Sequence, residues 1–308
     1  MQVSQEENSK STVLSLTQKT SSQNITSKKY FVPEEWTLDK FEIGRPLGKG
    51  RFGRVYLARE KKNQFICVLK TISMSLVKSS SNIQLIAREV EINAQLNHGN
   101  ILKMYGYFAD KERFYFILEF ASQGDLYGLL NSQPGKRFAE EASSNYIKQM
   151  VKALIYLKSK KIIHRDIKPE NIMIQEGVLK LSDFGWAIHN PENRIRTTHC
   201  GTLDYTPPEM LFREMTGKQN QYDAGVDVWS VGVLAYELSC GQAPFQNSDI
   251  QRTQQKIYTL HFDFPKYFSD DLKDFVKSIL KKNTNDRMSL ERMLEHPWIT
   301  KYSTIRGS

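Results

Sequence analysis

The chain has 308 residues, 40% of them apolar, so its length allows one large domain or two lobes with a sizeable core. No apolar run is long enough to predict a membrane span, and the polar N-terminus does not predict a secretory signal. The three cysteines fit neither a disulfide framework nor a metal-binding spacing. Together these features favour a reducing, intracellular location. The formal net charge of +9 is scattered along the chain, which predicts solubility and provides no motif for specific nucleic acid binding.

The N-terminal part of the chain changes character near residue 41. Residues 1–40 form a Ser-, Thr- and Lys-rich extension that we expect to be disordered, because such a composition buries too little apolar surface to offset ordering entropy. Beyond it, alternating apolar residues predict strands at Arg54–Arg59 and Phe65–Lys70. The helical spacing of apolar residues over Ile83–Leu96 predicts one helix.

The pattern becomes helical after Gly124. Long segments with helical apolar periodicity cover Ala139–Ser159 and Asp227–Ser239. We therefore predict an α+β chain with a small β-rich N-lobe and a large, mainly helical C-lobe. The expected boundaries are about 41–118 for the N-lobe, about 122–299 for the C-lobe and 300–308 for a short tail.

The motif with the most chemical content runs from His164 to Asn171 and is followed by Asp183-Phe184-Gly185. Phosphoryl transfer needs an acidic residue that orients the attacking hydroxyl, together with an amide and a carboxylate that hold Mg²⁺ on the phosphates. Asp166 fits the first role, and Asn171 with Asp183 fits the second. The order H-R-D-x-K-x-x-N and then D-F-G is the form found in eukaryotic protein kinases.

A glycine-rich run over residues 48–55 matches G-x-G-x-x-G-x-V. Glycines allow the backbone to turn tightly and to approach phosphates closely. A dinucleotide-binding fingerprint shares this spacing but leads into a helix, whereas this run leads into the strand that begins at Arg54. We therefore interpret the run as a phosphate-binding hairpin, with an ordinary turn as the alternative.

Lys70 closes a predicted strand, where an isolated lysine is most often solvated. Glu89 on the next predicted helix favours another interpretation, in which the lysine bridges phosphates and pairs with this carboxylate. Glu91 is the competing partner, but it lies on a different helix face from Ile86. Asn93 follows Glu89 by one turn, and we expect either a satisfied, half-exposed amide or a helix loosened until an activator seats it.

An activation segment is expected between Asp183 and Glu209. A phosphate on Thr198 would supply negative charge and acceptor oxygens for guanidinium groups. The plausible donors are three arginines: Arg88, Arg165 and Arg196. Arg165 is expected to lack a partner until such an anion arrives. Thr197 is the alternative acceptor of the phosphate. An unmodified loop hydroxyl is the alternative interpretation of Thr198, and the surrounding arginines argue against it.

The resemblance to Ser/Thr protein kinases covers residues 41–299, and it narrows to the Aurora family. The narrowing residues are Asp183-Phe184-Gly185-Trp186, with its unusual Trp after Gly, and the segment Arg196–Glu209 with its Pro-Pro-Glu end. The segment Phe41–Gly50 is equally similar. Four features depart from the family pattern without removing a catalytic group: Cys67-Val68-Leu69 before Lys70, Asn93, His199 and Thr206. These departures indicate a divergent member of the family. At position 106 the chain has Gly, the residue typical of the spindle-pole subtype.

This resemblance implies transfer of phosphate from Mg-ATP to Ser or Thr in proteins. It implies that Lys168 neutralises the transferring phosphate, that Glu119 and Ala121 bind adenine with Leu118 behind it, and that Glu209 pairs with Arg287. Asp227 is expected to support the catalytic-loop backbone, and His164 to pack under Phe184. The implied ATP-binding residues are Leu47, Gly48, Lys49, Gly50, Gly53, Val55, Lys70, Leu118, Glu119, Ala121, Glu170, Asn171 and Asp183.

The resemblance also implies partners and a location. Glu170 and Glu237 are placed, as in basic-directed kinases, to bind an Arg two residues before the acceptor. The family implies an activator of the spindle-microtubule or inner-centromere type that binds the N-lobe, no membrane partner, and work at the spindle, spindle pole and chromosomes, in cytoplasm and nucleus. The alternatives are another basic-directed Ser/Thr kinase, a kinase-fold scaffold, and a basic nucleic-acid or microtubule adaptor that acts through the N-terminal extension.

Overall fold

The computed structural model describes residues 36–49, 53–77, 80–190, 203–211 and 223–302. These residues divide into two compact units. The small unit contains the described residues up to Leu96 together with Lys103–Phe120, and the large unit contains Asn97–Leu102 together with the described residues from Ala121 onward. Within these ranges, no helix has both the length and the apolar character needed to cross a lipid bilayer.

The small unit is built on a five-stranded antiparallel sheet whose strand order is β1-β2-β3-β5-β4. Two helices, α1 and α2, follow β3, and a 3₁₀-helix at Leu38–Lys40 precedes β1. The bounds are β1 Phe41–Lys49, β2 Arg54–Glu60, β3 Ile66–Ser73, α1 Met74–Val77, α2 Ser80–Ala94, β4 Met104–Ala109 and β5 Arg113–Glu119.

Alternating side chains of this sheet form two apolar clusters in the small unit, as the period of two along a strand requires. One cluster includes Cys67 and Leu69 of β3, and Trp36 packs on it with its ring 5.4 Å from that of Phe41. The other includes Ile72 and joins the sheet to the apolar side of α2. The prediction that residues 36–40 belong to a disordered extension is therefore wrong, because these residues are an ordered part of this unit.

The large unit consists mainly of helices, with short antiparallel strand pairs β6–β9 and β7–β8. The bounds are α3 Leu126–Ser132, α4 Glu140–Ser159, β6 Ile162–Ile163, β7 Ile172–Gln175, β8 Val178–Leu181, β9 Ile188–His189, α5 Gly225–Cys240, α6 Ile250–Thr259, α7 Asp270–Ile279, α8 Leu290–Glu295 and α9 Pro297–Thr300.

Helix α5 lies at the centre of the large unit. Most of its residues are buried, which agrees with its nearly continuous apolar sequence, and the Trp229 ring stacks on Phe245 at 5.5 Å. Gly241 ends the helix with a φ of 87°, a left-handed conformation that glycine adopts without strain. Asp227, in the first turn of this buried helix, is one of its few charged residues and is placed to reach the neighbouring loop.

The predicted fold class is confirmed, because a sheet-rich unit precedes a mainly helical one. One segment differs from the predicted boundaries. Residues 97–102 belong to the large unit, since the Leu102 N–H donates to the Leu181 carbonyl and the Leu181 N–H donates to the Asn100 carbonyl, each at 2.9 Å. The chain thus leaves the small unit after α2 and returns to it for β4 and β5.

Candidate active site

In the small unit, Lys70 and Glu89 form an ion pair. The Lys70 Nζ lies 2.9 Å from the Glu89 Oε1, with side-chain exposures of 22% and 12%. Strand β3 places the lysine opposite Val55 on one side and Phe116 on the other, and its ammonium lies 5.5 Å from the Phe116 ring centroid. The carboxylate comes from the middle of α2. The predicted pairing therefore exists, and Glu89 rather than Glu91 makes it.

Asn93 is buried rather than half-exposed. Its side-chain amide donates to the Glu89 carbonyl oxygen at 2.8 Å, one turn earlier in α2. The amide hydrogen bond offsets part of the cost of burying a polar group on this side of the helix. The satisfied-amide interpretation is the one that this contact supports.

The glycine-rich run lies where β1 turns into β2. A Cβ atom on Gly53 would lie 1.7 Å from the Thr71 carbonyl oxygen, so close packing against β3 requires glycine at this position. A Cβ atom on Gly48 would meet no described atom within 4 Å, which leaves open space beside the β1 backbone. Leu47 and Lys49 also belong to β1, while Gly50 lies outside the described residues.

In the large unit, the loop between β6 and β7 brings three predicted catalytic residues together. The Asn171 amide donates to the Asp166 carbonyl oxygen at 2.8 Å and to the Asp166 carboxylate Oδ2 at 2.7 Å. The Lys168 Nζ lies 3.2 Å from the other carboxylate oxygen, Oδ1. A 3₁₀-helix at Pro169–Asn171 turns the chain so that Asn171 faces back toward Asp166. The carboxylate is therefore fixed from both sides.

The backbone of this loop is held by Asp227 of α5. Its two carboxylate oxygens accept hydrogen bonds from the His164 and Arg165 N–H groups, both at 2.8 Å. Burial raises the pKa of Asp227, and the charge of His164 and these N–H donors oppose that rise. The His164 ring packs against Phe184 with centroids 4.8 Å apart, and its Nε2 lies 3.0 Å from the Ser182 carbonyl oxygen. Both predicted supporting roles are confirmed.

Asp183 has a left-handed backbone conformation, with φ 60° and ψ 74°, that non-glycine residues adopt rarely. The next residue, Phe184, is buried and the Asp183 side chain is exposed. Asp183 is thus turned toward solvent while its neighbour packs in the core.

The donor set of the large unit fits the predicted Mg²⁺. Because the Asn171 amide nitrogen is used on Asp166, its oxygen Oδ1 is the atom left for a metal, and Asp183 supplies a carboxylate. Mg²⁺ prefers oxygen ligands and is usually held by one or two carboxylates plus phosphates and waters. Among the described residues, no group of three or more His, Cys, Asp or Glu side chains could hold a metal ion, so a site made by protein ligands alone is not indicated there.

Arg165 differs from its prediction as an unpaired charge. Its Nε donates to the Trp186 carbonyl oxygen at 2.8 Å, and its Nη2 donates to the same atom. The unusual Trp after the Asp183-Phe184-Gly185 motif thus holds the Arg165 side chain through its backbone. Arg88 lies half-buried on α2, whereas Arg196, Thr197 and Thr198 lie outside the described residues.

The predicted substrate-binding carboxylate of Glu237 has a neighbour that the sequence did not indicate. The buried Tyr205 hydroxyl donates to the Glu237 Oε2 at 2.5 Å. Burial raises the pKa of Glu237 to about 7; the Tyr205 hydrogen bond opposes the rise, and the negative charges of Glu170 and Asp204 add to it. Asp204 is therefore a further acidic residue of this site. The sequence does show a Tyr four residues before Glu209. The contact of this Tyr205 with Glu237, however, depends on how α5 packs.

The predicted adenine-binding residues lie where the chain passes, after Phe120, from the small-unit segment to the large-unit segment. Leu118 and Glu119 end β5 and are half-buried, and the Glu119 N–H donates to the Lys103 carbonyl oxygen at 2.8 Å. Ala121 is the first residue of the next large-unit segment and is buried.

The predicted ion pair of Glu209 and Arg287 is also present. Two parallel hydrogen bonds of 2.8 and 2.6 Å join the guanidinium to the carboxylate, and the Arg287 side chain is 1% exposed. This geometry ties the end of the predicted activation segment to the large unit.

Comparison with known proteins supports the motif-based resemblance over most of the chain. The protein kinase domain family matches residues 41–299. The chain is 48% identical over 274 residues to Aurora kinase A-A of Xenopus laevis, covering 89% of this chain and 65% of that protein. It is 50% identical over 270 residues to the Aurora kinase of Schizosaccharomyces pombe, covering 87% and 74%. Aurora kinase B-A of Xenopus laevis is 45% identical over 266 residues.

The chain spans just under two thirds of the Xenopus Aurora kinase A-A. Its match to the S. pombe relative nevertheless includes most of both proteins, and the matched region contains every catalytic motif discussed above. The chain therefore belongs to the protein kinase family and, within it, to the Aurora kinases.

Proposed function

We propose that the chain is an ATP-dependent protein Ser/Thr kinase that transfers the γ-phosphate of Mg-ATP to a protein hydroxyl. The arrangement of Asp166 between Asn171 and Lys168 carries this proposal. A carboxylate fixed in this way can accept a hydrogen bond from an incoming hydroxyl and orient it for in-line attack. Lys168 lies beside it, where an ammonium group can neutralise charge on the transferring phosphate.

Asn171 and Asp183 would hold the Mg²⁺. The metal would bridge phosphate oxygens and neutralise their developing charge. The protein supplies the orientation, since the Asn171 amide is fixed on Asp166 and the Asp183 backbone conformation turns its carboxylate outward.

In the small unit, Lys70 would contact the nucleotide phosphates while Glu89 holds the ammonium in position. The open space next to Gly48 supports close approach of phosphates to the backbone there. Glu119 and Ala121 would offer backbone groups to adenine, with Leu118 guarding the pocket behind. The remaining proposed nucleotide contacts are Leu47, Lys49, Gly50, Gly53, Val55 and Glu170.

The proposed substrates are proteins with an Arg two residues before the acceptor Ser or Thr. Glu170 and Glu237 would bind that guanidinium, and the influence of Glu170 on the Glu237 pKa supports their proximity. Phosphorylation of Thr198, or of Thr197, would recruit Arg88, Arg165 and Arg196. Arg165 already uses its guanidinium on Trp186, so a phosphate would have to share or displace that contact.

The names of the relatives support a mitotic role for the whole protein. We propose that it acts at the spindle, the spindle pole and the chromosomes, in the cytoplasm and nucleus. An activator of the spindle-microtubule or inner-centromere type would bind the N-lobe and stabilise the position of α2.

Phosphorylation of an arrayed peptide library with Mg-ATP tests this function. The wild-type chain should modify Ser and Thr peptides, whereas Asp183→Asn should modify none while retaining the wild-type thermal unfolding temperature, because it removes a metal carboxylate that is not part of the core. Equal labelling by both proteins would show that the signal does not arise from this site.

A further inference from the structure

A cavity of about 340 Å³ opens on the large unit, close to the end of α5. Its volume lies near the lower end of the roughly 300–1,000 Å³ that small-ligand sites occupy. Three pieces of the chain line it: the end of α5 with the loop that follows, helix α6, and the segment between α6 and α7. None of its lining residues belongs to the proposed catalytic or nucleotide-binding set.

Aromatic and proline side chains form one part of the cavity wall. Tyr236, Phe262 and Tyr267 line it together with Pro244 and Pro265. The Tyr236 and Phe262 rings meet edge to face with centroids 6.0 Å apart. Tyr267 is 53% exposed, so an apolar ring at this cavity is open to solvent. The wall can therefore bury part of a flat apolar group.

The parts of this wall are joined by contacts that hold them in place. The Tyr236 hydroxyl donates to the Asp263 carbonyl oxygen at 2.6 Å, which ties the segment after α6 to helix α5. The Arg137 guanidinium carbon lies 3.8 Å from the Tyr267 ring centroid, a cation–π contact that fixes this ring. A ligand would thus meet rings whose positions are already set, which lowers the entropic cost of binding.

The charged side chains at the cavity favour an anion. Lys256 and His261 line it, and Asp263 provides the only carboxylate of the lining. Lys256 is half-buried and forms no ion pair with another described residue, whereas Asp263 is exposed, where water screens its charge. A partly desolvated ammonium without a carboxylate partner is stabilised when an anion binds.

The Cys240 thiol also lines the cavity but does not compete for that ammonium. Burial raises the pKa of Cys240 to about 11, and the nearby charge of Glu237 adds to the rise, while the Gln242 carbonyl and the positive charge of Arg137 oppose it. The thiol is therefore protonated and neutral near pH 7. Its hydrogen bond to the Gln242 carbonyl oxygen, at 3.2 Å, keeps it on the protein.

We propose that this cavity binds an aromatic group that carries a carboxylate. The ring of the ligand would pack against Tyr267 and Phe262, and its carboxylate would pair with Lys256. The C-terminal aromatic residue of a polypeptide has both parts, and so does a small aromatic acid. This binding site goes beyond the proposed phosphoryl transfer and does not depend on it.

Saturation-transfer NMR on the full chain tests the proposal with N-acetyltryptophan and its neutral analogue N-acetyltryptophanamide. The acid should bind with a Kd of about 1 mM or lower. The amide should bind at least about tenfold more weakly, because it lacks only the charge that pairs with the lysine. Lys256→Gln should weaken binding of the acid by a similar factor and should remove the difference between the two ligands.

Two further variants separate the charge from the ring. Lys281→Gln, at an exposed lysine outside the cavity, makes the same change in net charge and should leave both affinities at the wild-type values. Tyr267→Ala should weaken the acid and the amide by the same factor, because it removes an aromatic surface and no charge. Thermal unfolding of the three variants should coincide with that of wild type, so that a loss of affinity reports the site.

The source of the ligand follows from two more compounds. A tetrapeptide Ala-Ala-Ala-Trp with a free carboxyl end that binds more tightly than indole-3-acetate would assign the cavity to a polypeptide C-terminus, and the reverse order would assign it to a small acid. Equal binding of N-acetyltryptophan and its amide to wild type would overturn the proposal. Full affinity of Lys256→Gln for the acid, or no binding to wild type at about 10 mM ligand, would overturn it as well.

Discussion

The Asn171 side chain donates from one amide nitrogen to both the carbonyl and the carboxylate of Asp166, at 2.8 and 2.7 Å. The proposed base and one proposed metal ligand therefore hold each other in place. Because the nitrogen faces Asp166, the amide oxygen is the atom available to a cation. The Asp227 carboxylate also fixes this loop, because it accepts hydrogen bonds from the His164 and Arg165 N–H groups.

Lys70→Arg should lower kcat/KM by about a hundredfold or more. The planar guanidinium is bulkier than an ammonium and cannot replace a point charge that contacts both a phosphate and Glu89. Steady-state kinetics on one peptide would measure the loss. Lys61→Arg, at an exposed lysine of the same unit, is the control and should match wild type. Activity of Lys70→Arg within about threefold of wild type would remove Lys70 from the active site.

Discrimination for Arg in the substrate should increase with pH. The pKa of Glu237 is about 7, so the carboxyl group gains its negative charge as pH rises through that value. The ratio of kcat/KM for a peptide with Arg two residues before the acceptor to that for its Ala version should therefore be larger at pH 8 than at pH 6. Glu237→Gln should flatten this dependence, and a ratio in the wild-type enzyme that does not change with pH would contradict the assignment.

The same titration has the opposite sign for folding. The pKa of Glu237 in the folded protein lies above its reference value of 4.5. Its contribution to stability is therefore largest below pH 4.5 and is lost as pH rises through 7. Weaker Arg selectivity at pH 6 would thus not come from a loss of the fold at this residue.

Self-phosphorylation of Thr198 should activate the enzyme. Arg196 precedes Thr198 by two residues, so the segment fits the proposed substrate preference. Activity should rise during preincubation with Mg-ATP at a rate that increases with enzyme concentration, and Thr198→Ala should prevent the rise. Thr197→Ala should have less effect, because Ile195 lies two residues before it. An activated enzyme in which mass spectrometry finds Thr198 unmodified would require an external activator instead.

Arg287→Ala should destabilise the large unit by about 3–5 kcal/mol, because it leaves the Glu209 carboxylate without its guanidinium partner in a nearly buried site. Chemical unfolding would measure the change. Arg292→Ala, the control, removes an exposed arginine five residues further along in the same unit and should change stability by less than about 0.5 kcal/mol. Similar values for both variants would show that the ion pair contributes little.

Local sequence motifs predicted a large part of this site. The sequence predicts a strand that ends at Lys70 and a helix on which Glu89 lies on the same face as Ile86. From these two elements the pairing of Lys70 with Glu89 could be predicted. The family pattern also predicted the contacts of Asp227 and Arg287, because both residues occur in short motifs with fixed roles. These predictions depend on residue order and on periodicity, which a single sequence displays.

Contacts between distant segments could not be predicted in the same way. The Arg165 guanidinium donates to the backbone carbonyl oxygen of Trp186, and every residue has such an oxygen, so the residue type does not predict the contact. Tyr205 meets Glu237 only because α5 packs beside its segment. Gly106 has a local packing reason that the sequence did not show, since a Cβ atom there would lie 2.9 Å from the Trp36 ring nitrogen.

The most direct test of the central claim is the rate of phosphoryl transfer by Asp166→Asn. Single-turnover kinetics with saturating Mg-ATP should show a loss of about a hundredfold to ten-thousandfold, since an amide cannot accept the hydroxyl proton. Nucleotide affinity should stay near the wild-type value, because Asp166 is assigned to the hydroxyl and not to ATP. A transfer rate within about threefold of wild type would contradict the assignment of this site as the catalytic centre.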